Sequence, residues 1–278
     1  MRGAVVVLLV GAIAGALVAA SCLRPAKAPA AAHPPPAAAA PPPRARLVVP
    51  DPAEVKVAVD VRGEWSWALR ELGSGAVVGD GTLRTTAGAV IRSWLAVDFL
   101  AARGSRVSAA DAARLDRLVR AGDDRVAQTL YRRLGGDRSL ARMIRTCGLR
   151  ETRIQPGRWA GTTMSATDAT LLGRCVARGP GLSPPWRAKL LDLMRPAAPG
   201  DASGIPDAPA LAGRHLAVGN GWTRRGTWWT VGCLAVWDHW VLAVLVHYPD
   251  QGDGHRYGAD VCKAVAQQLF EPGFAPGR

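Results

Sequence analysis

The spacing of apolar residues changes twice along this chain. Between Val57 and Val78 they fall in two strand-like runs, with Trp65-Ser66-Trp67-Ala68-Leu69 alternating and Gly73-Ser74-Gly75 supplying a tight turn. A hairpin is expected to open the fold. The middle of the chain switches to helical spacing. From about Ala89 to Ala102 the residues Ile91, Trp94, Leu95 and Phe99 lie on one helical stripe, and Gly104 is placed to end it. Ser108 with Asp111 three residues on makes a capping box for a helix burying Leu115, Leu118 and Val119. Asp123-Asp124 start another with Val126, Leu130 and Leu134 inward, stopped by Gly135-Gly136. Leu140, Met143 and Ile144 mark a short helix ending at Cys147-Gly148. Ser165 with Asp168 caps a further helix through Leu172 and Val176, and Pro184-Pro185 precede one holding Trp186, Leu190 and Leu193.

The last part returns to strands. Thr227 to Trp237 and Trp240 to His247 read as long β segments joined through Asp238-His239, which sets Trp237 opposite Trp240. Both faces of these segments are apolar, so helices should cover both sides. A helix from about Gly258 to Phe270 closes the pattern. Together these elements predict an α/β (α+β) fold: an antiparallel sheet flanked by helices, with an all-helical lobe.

The first fifty residues belong to a different class of sequence. Met1-Arg2 precedes an apolar run from Ala4 to Ala20, then Ser21-Cys22, which is the layout of an export signal. Val18-Ala19-Ala20-Ser21-Cys22 resembles a bacterial lipobox with Cys22 as the lipidated residue, although Ala19 stands where Leu is usual. Cleavage after Ala20 or a retained helical anchor also fits these residues. Residues 23–50 are rich in Ala and Pro, with Pro34-Pro35-Pro36 and Pro41-Pro42-Pro43 favouring extended polyproline geometry, hence a tether. The expected organisation is therefore a signal or lipid anchor over 1–22, a linker over 23–50 and a folded domain over 51–278. Every reading of the signal places that domain outside the cytoplasm, and the expected location is anchored to the outer face of the cell membrane.

Outside the cytoplasm the four remaining cysteines are expected in disulfides. Three connectivities exist. Cys147 with Cys175 and Cys233 with Cys262 keep each pair within one contiguous block of the chain. No Cys-x-x-Cys or paired-histidine spacing points to zinc, and no other metal or cofactor is implied. The formal charge of +13 falls on 35 basic and 22 acidic residues, and the basic ones are nearly all Arg, with Lys only at 27, 56, 189 and 263. A basic envelope domain can sit against anionic wall polymer or headgroups. Without a basic stripe interleaved with aromatics, nucleic acid is not an expected partner.

Five segments, in this order, carry a resemblance: Trp65-Ser66-Trp67-Ala68-Leu69, Val90 to Ala96, Arg142 to Leu149, Thr162 to Asp168, and Asn220-Gly221-Trp222. Over about residues 57 to 270 the chain resembles the β-lactamase-like lipoproteins of high-GC Gram-positive bacteria, related to class A β-lactamases and to the penicillin-recognising serine hydrolases. That resemblance implies three motifs around one cleft. Ser-x-x-Lys, which would supply nucleophile and activating amine, matches Ala89 and Arg92. Alanine has no attacking oxygen, and a guanidinium that stays protonated takes no proton from a neighbour. The residues three before the four lysines are Arg24, Ala53, Trp186 and Asp260, so no shift of register restores the motif. Ser-Asp-Asn matches Gly122-Asp123-Asp124, where helix N-terminal acids are the simpler explanation. Lys-Thr-Gly matches Gly219-Asn220-Gly221 on the edge strand. Glu151 stands out of pattern for a deacylation base.

The expectation is thus a protein that keeps the fold without the chemistry, acting as a binding or scaffolding module for cell-wall glycan or peptide, or for an envelope protein. An active serine hydrolase using non-standard residues is the alternative. Against a Ser-His-Asp enzyme, no Gly-x-Ser-x-Gly elbow occurs, and His215, His239, His247 and His255 lie on or near strands and turns. Trp65, Trp67, Trp94, Trp222 and Trp237 are expected in the core, while Trp228-Trp229 must project to opposite faces of their strand.

Overall fold

A computed structural model describes residues 55–104, 106–196 and 203–271. The anchor and linker expected over 1–50, Cys22 included, lie outside them. No helix among the described residues is long and apolar enough to cross a membrane.

The opening alternation forms β1 (Glu64–Glu71), which turns back through Gly73-Ser74-Gly75 into the two-residue β2 (Val77–Val78). Residues 55–61 also alternate, with their four valines packed inward, yet they are not a strand. The Ala58 backbone bonds to the Gln268 side chain in both directions, so no neighbouring strand supplies a ladder there. The expected first strand therefore begins at Glu64 rather than Val57. A short pair, β3 (Arg84–Thr86) with β4 (Thr163–Ser165), lies off the main sheet.

Between these strands the capping signals fix the helices. They are α1 (Gly88–Arg103), α2 (Ala109–Val119), α3 (Asp124–Arg133), α4 (Asp137–Cys147), α5 (Ala166–Arg178) and α6 (Pro184–Leu193). Ser108 and Asp111 form the full capping box, each side chain accepting from the other's backbone N–H. Ser165 Oγ accepts from Asp168 N–H, but the Asp168 carboxylate turns the other way and accepts from Arg150 N–H, Glu151 N–H and Thr152 Oγ1–H. Ser165 thus caps the helix start while the buried Asp168 carboxylate anchors the loop after α4. Inside the helical lobe Arg142 forks onto buried Asp98, which also accepts from Ser139 Oγ–H, and Trp94 Nε1–H donates to the Ser139 carbonyl.

The chain returns through β5 (Ala217–Val218), β6 (Gly221–Arg225), β7 (Trp228–Trp237) and β8 (Trp240–Pro249), then ends in α7 (Arg256–Phe270). The main sheet is antiparallel in the order β2-β1-β8-β7-β5, with β6 also on β7. Trp237 pairs with Trp240 across the Asp238-His239 turn, where Asp238 takes a left-handed φ of 43°. Alternation then sorts the sheet into two cores. Leu234, Val236, Val241, Ala243 and Leu245 face α1 and α5, while Val231, Cys233, Ala235, Leu242 and Val244 face α7. At Gly173 of α5 a Cβ would stand 2.5 Å from a Val241 methyl, so helix and sheet approach as closely as only glycine permits. Both expected disulfides are present. Cys147–Cys175 joins α4 to α5 with Cα atoms 5.3 Å apart, and Cys233–Cys262 joins β7 to α7 with Cα atoms 6.4 Å apart.

Candidate functional site

Three stretches that are far apart in sequence meet at one guanidinium. Arg92 lies one turn into α1, three residues beyond Ala89, the helix's second residue. Its Nη1 donates to the Gly122 carbonyl at 3.1 Å and to Asp124 Oδ1 at 3.0 Å, and its Nη2 donates to the Asn220 carbonyl at 3.2 Å. The fold therefore brings the start of α1, the turn before α3 and the start of the edge strand together at Arg92.

Each partner is placed by local chemistry. Gly122 adopts φ 62°, which favours glycine, and this turns its carbonyl toward Arg92. Asp123 caps α3, with Oδ1 accepting from Arg125 and Val126 N–H at 2.9 and 3.0 Å, while Arg117 pairs with Oδ2. The Val126 backbone bond, followed by Arg117, holds its carboxyl below the usual range. Asp123 is therefore spent on the helix and does not contact Arg92; only Asp124 does, with its side chain 76% exposed. Asn220 interrupts what would otherwise be one strand, since β5 and β6 keep the same register against β7. Its side-chain carbonyl accepts Leu234 N–H at 3.3 Å in place of the backbone, and its Nδ2–H donates to the Ser203 carbonyl. Gly219 and Asn220 thus occupy the interruption, and the strand restarts at Gly221.

Beside Arg92 opens a cavity of about 620 Å³. Trp222 lines it and is 50% exposed, contrary to its expected place in the core. The reason is topological: β6 is an edge strand paired only with β7, and none of its five residues is buried. His255 stacks on the Trp222 ring at 4.0 Å with 8° between planes. Burial, then the neighbouring Arg256, lowers the His255 pKa and so favours the uncharged imidazole. Ser203 lines the same cavity, but no hydrogen bond among the described residues joins its hydroxyl to His255. Ser93 Oγ–H is committed to the Val90 carbonyl at 2.6 Å. Glu151 is exposed and serves Asp168 through its backbone. Elsewhere on the sheet, Thr230 Oγ1 lies 3.1 Å from His247 Nδ1, with exposed Trp228 stacked on that ring. Among the described residues no group of three or more His, Cys, Asp or Glu is arranged to hold a metal ion.

A family profile described as the beta-lactamase enzyme family (Beta-lactamase2) matches residues 101–269. The chain belongs to the beta-lactamase enzyme family. Solved structures agree on the fold. A class A beta-lactamase from Mycobacterium abscessus is similar at 19% identity and a TM-score of 0.59, over 75% of this chain and 93% of that one. A beta-lactamase from Chitinophaga pinensis is similar at 15% identity and a TM-score of 0.61, over 76% and 94%. One from Desulfarculus baarsii is similar at 18% identity and a TM-score of 0.59, over 76% and 93%. No curated protein sequence matches the chain. At such identities the beta-lactamase likeness speaks to architecture, and the site must be read from its own residues.

Of the residues singled out in the sequence, Arg92, Gly122, Asp124 and Asn220 lie together, while Asp123 lies one residue aside on a structural task. It missed Arg120, Arg195, His255 and Arg256, which also line the cavity. They come from helix ends and loops without a shared motif, so only the folded chain assembles them.

Proposed function

We propose that this protein is a non-catalytic member of the beta-lactamase enzyme family, an envelope protein held on the outer face of a membrane that works as a binding or scaffolding module. The observation that carries the reading is the commitment of Arg92. Its guanidinium, in the place the family resemblance gives to an activating amine, is spent on two backbone carbonyls and a carboxylate. It stays protonated, and so bridges α1, the turn before α3 and the edge strand rather than moving a proton. Ala89 supplies no attacking oxygen. The export-like N-terminus with Cys22 and the Ala/Pro-rich tether support placement outside the cytoplasm, and the two disulfides suit that compartment.

A second reading has one observation in its favour. Ser203 and His255, whose pKa burial lowers, line the same cavity, so a hydroxyl and a base share one cavity. Nothing links them as a nucleophile–base pair, which that chemistry requires within hydrogen-bond reach. Purified protein incubated with a chromogenic β-lactam and, separately, with a fluorescent fluorophosphonate decides between them. The non-catalytic reading expects no turnover above buffer and no labelled band. Labelling that disappears in a Ser203→Ala variant would install the second reading instead. Mass spectrometry of the mature N-terminus is expected to find lipid on Cys22; an unmodified chain starting at Ser21 would remove the lipid anchor.

A further inference from the structure

Among its described lining the cavity beside Arg92 carries charge of one sign. Arg92, Arg120, Arg195 and Arg256 line it, and no acidic residue is among its described lining. They come from four separate places: inside α1, the end of α2, the turn after α6 and the start of α7. Three of them have carboxylate partners, Asp124, Asp116 and Asp192. Those acids are more than half exposed and are not among the cavity's described lining; Arg92 is taken up by Gly122, Asp124 and Asn220, whereas Arg120 meets Asp116 through Nε and Arg195 meets Asp192 through Nη1. Converging like charges repel unless an anion lies between them. Arginine forks match phosphate and carboxylate oxygens two at a time, and one carboxylate would occupy only one fork. The three that remain, Arg120, Arg195 and Arg256, call for a ligand with more than one negative charge.

The same cavity also has an aromatic lining. Trp222 and His255 lie parallel, and half of Trp222 faces solvent although such a ring is stabilised by burial. The volume, about 620 Å³, is that of a small-molecule site rather than a peptide groove.

We propose that this cavity binds a phosphate ester of a ring-bearing molecule such as a sugar, with the phosphate held among Arg120, Arg195 and Arg256 and the ring stacked on Trp222. The assignment deepens the binding-module reading and rests on it. It names what the module would bind.

The test is isothermal titration of the full-length protein, in non-ionic detergent at low salt, with glucose 6-phosphate, glycerol 3-phosphate, inorganic phosphate and glucose as separate probes. Glucose 6-phosphate is expected to saturate one site and to bind roughly tenfold more tightly than inorganic phosphate, with glucose silent. Glycerol 3-phosphate, which carries lipid-headgroup chemistry without a ring, is expected to match inorganic phosphate. Arg195→Gln with Arg256→Gln should weaken glucose 6-phosphate about tenfold or more with an unchanged melting temperature, because both side chains are exposed enough to be dispensable for folding. Trp222→Ala should bring glucose 6-phosphate down to the affinity of glycerol 3-phosphate and leave inorganic phosphate as it was. Glucose 6-phosphate binding no tighter than glucose, or binding indifferent to the double arginine variant, would overturn the site. Equal binding of the two esters would overturn the ring assignment. A fluorophosphonate adduct in the labelling experiment would instead strike the non-catalytic reading, so the two failures are told apart.

Discussion

From Val231 to Trp237 and from Trp240 to Val246 every residue of the two central strands is buried, whereas around Arg92 the chain presents loops, helix ends and an exposed Trp222. The first region is made by alternation: each residue has a face, and each face has a helix lying on it. The second is made by convergence, since the segments reach Arg92 by way of three separate connections and are tied by hydrogen bonds to backbone carbonyls. A region of the first kind carries stability, because removing one side chain leaves a void that its neighbours cannot fill. The second kind carries little stability and leaves its side chains facing a cavity, which is where a ligand can be accommodated.

Substitutions should separate the two regions by size of effect. The largest is expected from Leu245→Ala, which empties a fully buried position between the sheet, α1 and α5 and should cost about 3 to 4 kcal/mol in chemical denaturation. Next comes Cys233→Ser with Cys262→Ser. Opening a loop with a sequence separation of 29 should cost about 3 kcal/mol, read as a lowered melting temperature under oxidising conditions. Arg92→Gln should cost only about 1 kcal/mol, since the lost bonds are near solvent and the pair with exposed Asp124 is screened. A loss as large as that of Leu245→Ala would mean that the cleft is structural after all, and the contrast between the regions would fail.

The smallest effect is the pH dependence of the helix caps. Asp111 is held below the usual carboxylate range first by the Ser108 backbone N–H, and Asp123 first by that of Val126. With folded-state values below the unfolded ones, each adds stability that is present above about pH 4 and lost as pH falls through the folded value. Asp123→Asn should therefore lower the melting temperature slightly at neutral pH and make no difference once both states are protonated. A difference that survives at about pH 2 would show that the side chain's shape, not its charge, does the capping.

Period and capping made most of the fold legible. Ser108, Asp123 and Ser165 announce helix starts through local bonds, and the Trp237–Trp240 register follows from a two-residue turn, so both can be read without knowing the tertiary structure. Residues 55–61 show where period alone misleads, since alternation fixes which side faces inward but cannot say whether another strand lies alongside. Trp222 shows the complementary failure. Apolar size predicts burial, yet an edge strand has one flank without a neighbour, and the ring forms a cavity wall. Arg120, Arg195 and Arg256 carried no signal because an arginine-rich chain offers many basic residues with nothing to distinguish them until folding brings them together.

The claim on which the functional account depends is that nothing in this cleft forms a covalent bond with substrate. Intact-mass spectrometry of the folded protein after prolonged exposure to benzylpenicillin tests it most directly. The account predicts the unmodified mass at every time point; a stable gain of one penicilloyl group, mapped to any side chain lining the cavity, would contradict it.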